Sequence, residues 1–225
     1  MTASALCIDA LGTIVRLEPP APRLQRSLSS RLGLDLPLDR CEAAMRAEMR
    51  HYRDHCLRAR DASSLSALRL ECADVLADAL GEDLRGAELL SCLTDAIAFA
   101  PYPDAAPSLA AVRGAGIPVA VVSNWDISLI DTLARTGLAP LVDVVVHSAG
   151  VGASKPDPAP FQVALGRLGV PAAGAVHVGD DPDADVRGAR GAGLRALLLE
   201  RGGRRRAGVL TGLDQLLDEL ARDEP

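Results

Sequence analysis

A chain of 225 residues that is 48% hydrophobic, only 2% aromatic and formally −6 in charge can bury a large aliphatic core, as one domain or as one domain carrying an insertion. Its size excludes a peptide-like module, and its mild acidity excludes broad binding to a nucleic-acid backbone. The basic run Arg201 to Arg206 is short, is loosened by Gly202 and Gly203, and reads as a solvated loop.

An apolar run over residues 3–9 breaks off at Asp9 before it could form the apolar part of a signal peptide, and no basic segment precedes it. The expectation is a cytoplasmic protein with no membrane association. Residues 21–98 then carry no strand-like run. Apolar positions at helical spacing over 40–60, 64–80 and 84–98, punctuated by Gly33, Asp61, Gly81 and Gly86, predict a helical bundle. Proline-rich stretches at 16–22 and 99–103 bound it and read as hinges. Beyond them, aliphatic runs at 117–124, 141–147, 174–180 and 194–199 alternate with helical spacing at 104–115, 127–137, 158–168 and 181–192. Unbroken runs of that length fit strands covered on both faces. The predicted class is therefore α/β, an open parallel sheet flanked by helices, with right-handed crossovers. Its core comprises residues 1–16 and 100–225, and the helical insertion 17–99. Five scattered cysteines (Cys7, Cys41, Cys56, Cys72, Cys92) show no metal or redox spacing and read as reduced, buried small hydrophobes.

In an open parallel sheet, ligands bind beyond the carboxyl ends of the strands. The polar residues at those ends are Asp9, Ser123 with Asn124, and Asp180 with Asp181. Lys155 lies in the loop after the run ending at His147, and it is the only lysine in a chain that otherwise uses arginine. An ammonium is a compact point charge where a guanidinium is a planar fork, so the exception marks a site that excludes the fork. Asp9 and Asp180 on one rim would repel unless a cation lay between them, and hard carboxylate oxygens suit Mg²⁺.

The set resembles the haloacid dehalogenase-like hydrolase superfamily. Its four motifs are matched in order by Asp9-Ala10-Leu11-Gly12-Thr13, Val121-Val122-Ser123-Asn124, Lys155-Pro156-Asp157 and Val178-Gly179-Asp180-Asp181-Pro182-Asp183-Ala184-Asp185. The resemblance implies a Rossmann-like core with the helical insertion as its cap. It implies that Asp9 is a nucleophile forming a covalent aspartyl intermediate, with Thr13 helping to hold its loop. It gives Ser123 a hydrogen bond to the transferring group, assisted by Asn124, and gives Lys155 charge neutralisation. It makes Asp9, the backbone carbonyl of Leu11 and Asp180 ligands of Mg²⁺, with Asp185 or Asp181 behind them.

Leu11 departs from the pattern. Phosphatases of the family carry there an aspartate that protonates the leaving alkoxide and later activates water. Such assistance is worth about 10²–10⁴ in rate. The first reading is a Mg²⁺-dependent phosphohydrolase of weakened or restricted activity on a small phosphorylated metabolite. The alternatives are a dehalogenase-type or other carbon-centre hydrolase, whose halide needs no proton, and a catalytically silent ligand-binding protein. The metal-type fourth motif disfavours a dehalogenase, and the lack of any lysine in the insertion excludes the phosphonate-cleaving branch.

Tyr52 and Arg53 are candidates for meeting substrate, Arg16, Arg50 and Arg53 for a halide-binding arginine, and Trp125 for a pocket wall. His51 and His55 share a helix face without an evident third metal ligand, and read as part of a polar face. Gly188-Ala-Arg-Gly191-Ala-Gly193 closes a helix instead of opening one, and Gly150 to Lys155 lacks a phosphate-loop ending, so neither supports nucleotide binding. Partners are a small-molecule substrate, no nucleic acid, and, through an apolar cap surface, a second copy in a homodimer.

Overall fold

Strands with no polar alternation must be covered on both faces, and residues 5–8, 119–123 and 175–179 are buried at every position. The computed structural model describes residues 3–81, 84, 86–204 and 206–222. In chain order the elements are β1 (Ala5–Ile8), β2 (Val15–Leu17), α1 (Pro20–Leu32), α2 (Leu38–His55), α3 (Ala62–Leu80), α4 (Ala87–Ala96), β3 (Phe99–Pro101) and α5 (Ala105–Gly114). Then follow β4 (Val119–Ser123), α6 (Leu129–Arg135), β5 (Val144–His147), α7 (Ser148–Val151), α8 (Ala159–Leu168) and β6 (Ala175–Gly179). A π-helical turn over Pro182–Arg187 leads to α9 (Gly188–Gly191), β7 (Arg195–Leu199), β8 (Val209–Leu210) and α10 (Leu216–Ala221).

The chain divides into two compact units, Met1–Arg16 with Pro101–Pro225, and Leu17–Ala100. The first holds a six-stranded sheet in the order β5-β4-β1-β6-β7-β8, with every pairing parallel. The strand order runs outward from β1 to β5 and then resumes on the other side of β1 with β6. The carboxyl ends of β1, β4 and β6 therefore flank a switch-point crevice. One face of the sheet carries the small residues Ala5, Cys7, Ala120, Ala175 and Ala196 beside Val122 and Val146, and the fully buried ring of Phe161 from α8 packs in the same cluster. All five cysteines are buried and none forms a disulfide, and burial pushes the Cys7 thiol up to about 12.

Among the described residues the second unit holds four α-helices, where three were expected. The stretch 16–22 was expected as a hinge, yet α1 begins inside it at Pro20, after the β2 strand has ended at Leu17. Proline suits the first helical turn, where its missing N–H is unneeded and its φ is already helical. α1 ends at Gly33 in the left-handed region, and α3 starts with a capping box between Asp61 and Ser64. Arg85, within the predicted 84–98 helix, lies outside the described residues. Among the described residues no helix is long and apolar enough to cross a membrane.

The basic run after β7 is not uniformly solvated, as Arg201 turns inward with its side chain 23% exposed, paired to Asp104. Arg204 and Arg206 are exposed, and Arg205 lies outside the described residues.

Candidate active site

β1 delivers Asp9 to the rim, and the Asp9 N–H still donates to the Val178 carbonyl of β6 at 2.9 Å, so its backbone is fixed by the sheet. The chain then folds back tightly: the N–H groups of Ile14 and Val15 both donate to the Ala10 carbonyl at 2.9 Å. Gly12, at the turn, has φ +84°, and a Cβ there would lie 2.1 Å from Asp180 Oδ2. Only glycine permits both the left-handed backbone and the approach of the second carboxylate.

Ser123, the last residue of β4, donates from Oγ to Asp9 Oδ1 at 2.9 Å. Lys155 reaches the same oxygen, its Nζ donating to Asp9 Oδ1 at 2.7 Å, to the Val122 carbonyl at 2.8 Å and to Asp185 Oδ1 at 2.5 Å. All three ammonium protons are thus used. Asn124 holds the lysine's main chain from both sides, accepting from Lys155 N–H at 2.7 Å and donating to its carbonyl at 2.9 Å.

Asp185 comes from the π-helical turn, which Asp181 caps by accepting from the N–H groups of Asp183 and Ala184 at 2.8 and 2.9 Å. A Cβ on Gly179 would meet the Asp185 carboxyl carbon at 2.1 Å, so glycine is required there by the packing of that side chain. Asp185 also accepts from His177 Nε2 at 2.9 Å and, through Oδ2, from the Asp181 N–H at 3.1 Å. Thr13 is fully buried, with its hydroxyl 3.5 Å from both Asp9 Oδ2 and Asp180 Oδ1, the outer edge of hydrogen-bonding range.

Among the described residues, Asp9, Asp180 and Asp185 are the one group of potential metal ligands, with oxygens all within 4.8 Å of one another. Burial pushes the Asp180 carboxyl up to about 6, aided by repulsion from Asp9 and Asp185. Burial would likewise raise Asp185, but His177 and Lys155 outweigh it and hold that carboxyl far below the usual range. Burial pulls Lys155 down, and Asp9 and Asp185 more than compensate, so the ammonium stays charged. Burial keeps His177 neutral, which makes Nε2 the protonated nitrogen facing Asp185 and leaves Nδ1 as a buried acceptor with no partner among the described residues. Burial raises the Asp9 carboxyl too, against the pull of the Lys155 ammonium, so three carboxyl groups crowd one ammonium, and an oxygen-ligated divalent cation, which favours their ionised forms, fits that donor set.

Residues 3–193 match the haloacid dehalogenase-like hydrolase family. The chain belongs to that family. It is similar to a phosphatase of Mycobacterium tuberculosis, 42% identical over 125 residues that cover 54% of this chain and 57% of that protein. It spans about half the length of the curated relatives it matches. Among solved structures it resembles an HAD phosphatase from Thermococcus onnurineus (28% identity, TM-score 0.66, covering 96% of this chain and 97% of that one). Its fold is also that of a 2-haloacid dehalogenase from Pseudomonas syringae pv. Tomato DC3000 (24% identity, TM-score 0.65, 97% of each chain).

In this member of the haloacid dehalogenase-like hydrolase family the other predicted site residues are shared between the two units. Leu11 sits in the turn after Asp9 with 43% of its surface exposed. Arg16 is an exposed residue of β2, while Tyr52 and Arg53 lie on α2 of the second unit, where Arg53 Nε donates to the Met49 carbonyl at 3.2 Å. Trp125 is buried, its N–H donating to Ser148 Oγ at 3.0 Å and its indole to Ser128 Oγ at 3.3 Å. Asp181 is engaged in capping and is not one of the three clustered carboxylates. His51 and His55 stack with centroids 4.2 Å apart, and His55 Nδ1 lies 2.8 Å from the His51 carbonyl, which accounts for the pair without a metal. Sequence reasoning missed His177, whose signal was a lone histidine inside a strand-like aliphatic run.

Proposed function

We propose that this hydrolase is a Mg²⁺-dependent phosphohydrolase that acts on a small phosphorylated metabolite in the cytoplasm, with the second unit as its cap. The observation that carries this reading is the setting of Asp9, a buried carboxylate oriented by Ser123 and a fully committed Lys155 beside two further carboxylates. The phosphatase relatives support the phosphoryl class.

Asp9 attacks phosphorus with a carboxylate electron pair, a new O–P bond forms as the bond to the leaving oxygen breaks, and an aspartyl phosphate results. Ser123 and Asn124 orient the transferring group and the Lys155 backbone, and the Lys155 ammonium offsets negative charge developing on nucleophile and phosphoryl oxygens. Asp9, Asp180 and Asp185, with the Leu11 carbonyl, would hold Mg²⁺, which supplies Lewis-acid polarisation of the phosphoryl group. Thr13 holds the turn, and Tyr52, Arg53, Arg16 and Trp125 contribute to substrate selection.

Leu11 has no proton to donate and cannot deprotonate water. Both halves of the reaction therefore lack general acid/base help, and substrates whose leaving group departs as a stable anion are favoured. Acyl and aryl phosphates meet that requirement. A second reading, displacement of halide from carbon, is favoured by Leu11 alone, because halide needs no proton. The carboxylate trio weighs against it, since neutralising a halide calls for no cluster of negative charge.

Hydrolysis of p-nitrophenyl phosphate and acetyl phosphate, measured with Mg²⁺ and with chelator, tests the reading. Mg²⁺-dependent turnover that vanishes in Asp9→Asn is the expected result. No turnover of either phosphate overturns it. Halide release from a 2-haloacid would then establish the second reading, and binding of Mg²⁺ and phosphate without turnover a silent ligand-binding protein.

A further inference from the structure

The inward turn of Arg201 is unexplained by the sequence pattern and unused by the reaction as written. It lies just beyond the carboxyl end of β7, on the rim that carries Asp9 and Asp180. Its Nη2 donates to the Thr13 carbonyl at 2.7 Å, and its two Nη groups grip Asp104 at 2.9 and 3.0 Å. The guanidinium carbon rests 3.7 Å from the centroid of the Tyr102 ring, a cation–π contact. Tyr102 in turn donates its N–H to the Ile14 carbonyl at 3.0 Å, and Asp104 also accepts from the Leu213 N–H at 2.9 Å. One side chain thus joins the turn after the nucleophile, the segment by which the chain returns from the second unit, and the loop before α10. Its Nε is buried with no partner among the described residues, so the fork is aimed by its acceptors at the expense of that N–H.

We propose that Arg201 is a positioning residue, a brace that fixes the Thr13 peptide and so orients the Asp9–Thr13 turn toward Asp180 for reaction. Thr13 is the point where this acts, because its carbonyl takes the brace while its hydroxyl stands between Asp9 and Asp180. Lysine cannot replace the fork, since a point charge cannot grip a carboxylate with two parallel bonds, reach a carbonyl and stack on a ring together. The consequence for chemistry rests on the phosphohydrolase reading, but the brace itself does not.

Two measurements on the full chain separate them. Amide hydrogen exchange is compared for wild type, Arg201→Ala and Arg201→Lys, and steady-state kinetics are taken with p-nitrophenyl phosphate. Exchange at residues 12–15 is expected to rise about tenfold or more in Arg201→Ala, with β1, β4 and β6 unchanged and Arg201→Lys intermediate. kcat is expected to fall by roughly tenfold to a hundredfold with KM within about twofold, the cost of a small misplacement of reacting groups. Combining Arg201→Ala with Thr13→Val should cost less than the two losses multiplied, because both act through one residue. Unchanged exchange in the turn overturns the proposal. So does acceleration spread evenly over the sheet in both variants, which would make Arg201 a plain stability residue. If wild type does not hydrolyse the phosphate, the functional reading fails while the exchange result still decides the brace.

Discussion

At the scale of single residues, the rim shows how much structure one lysine requires. Lys155 spends its three protons on Asp9, Asp185 and a carbonyl, and its backbone is gripped in both directions by Asn124. Breaking such a buried pair by removing one partner strands the other charge, so Lys155→Met should destabilise the fold by about 3–5 kcal/mol as well as abolish turnover. Denaturant titration reads the first effect and phosphatase assay the second. Gly12 is constrained differently. In Gly12→Ala, left-handed backbone costs about 1–2 kcal/mol, and the new methyl displaces Asp180. Calorimetric Mg²⁺ titration should show affinity lost out of proportion to that modest destabilisation, and unchanged Mg²⁺ binding would contradict the placement of Asp180 beside the turn. Leu11→Asp restores the missing proton donor. Its gain in kcat/KM, which reports departure of the leaving group, should approach about 10²-fold for an alkyl phosphate and be small for p-nitrophenyl phosphate, while kcat rises on p-nitrophenyl phosphate as well because the aspartyl phosphate gains a base. Equal gains in kcat/KM on both would show that leaving-group protonation does not limit the first step.

At the scale of elements, α2 and α3 of the second unit enclose a carboxylate. Glu48 on α2 is 2% exposed, and burial pushes its pKa up from 4.5 to about 7, with a hydrogen bond to Cys72 of α3 acting weakly the other way. A raised carboxyl pKa means the folded state binds the proton more tightly than the unfolded chain. Stability is therefore full below pH 4.5, declines as pH rises to about 7, and is constant above that. Glu48→Gln should flatten that decline and be the more stable form at pH 8 by on the order of 2 kcal/mol, read by urea titration at several pH values. Parallel pH curves would contradict it. The elements also show what was legible beforehand. Strands β1, β4 and β6 announced themselves because aliphatic runs that end in Asp9, Ser123 or Asp180 can be little else in an α/β chain. α1 did not, because Pro19 and Pro20 signal a break and a helix start equally well. The three-residue strands β2 and β3 are too short to show a period at all.

At the scale of the whole molecule, the parallel sheet and its switch point at β1 convert four separated sequence motifs into one rim. That convergence was readable, since each motif closes a strand or the loop beyond one, and the strand ends of a parallel sheet lie on one side. The roles of Arg201 and His177 were not readable. Arg201 meets Thr13 across 188 positions of sequence, and a run of arginines and glycines carries no mark of which member turns inward. His177 meets Asp185 only because the π-helical turn swings the carboxylate back under β6. On the proposed reading, the rim is a nucleophile site in which Leu11 stands where the family's phosphatases carry the partner aspartate. Forming the aspartyl phosphate from a substrate with a good leaving group needs no acid, whereas its hydrolysis needs a base that Leu11 cannot supply. The most direct measurement is therefore rapid acid quench during turnover of acetyl phosphate with Mg²⁺, followed by mass spectrometry of the peptide containing Asp9. The account predicts a phosphoryl adduct on Asp9 in most molecules of the wild type, little in Leu11→Asp because its hydrolysis is faster, and none in Asp9→Asn. Steady turnover with no adduct in wild type, or an adduct that persists in Asp9→Asn, would contradict it.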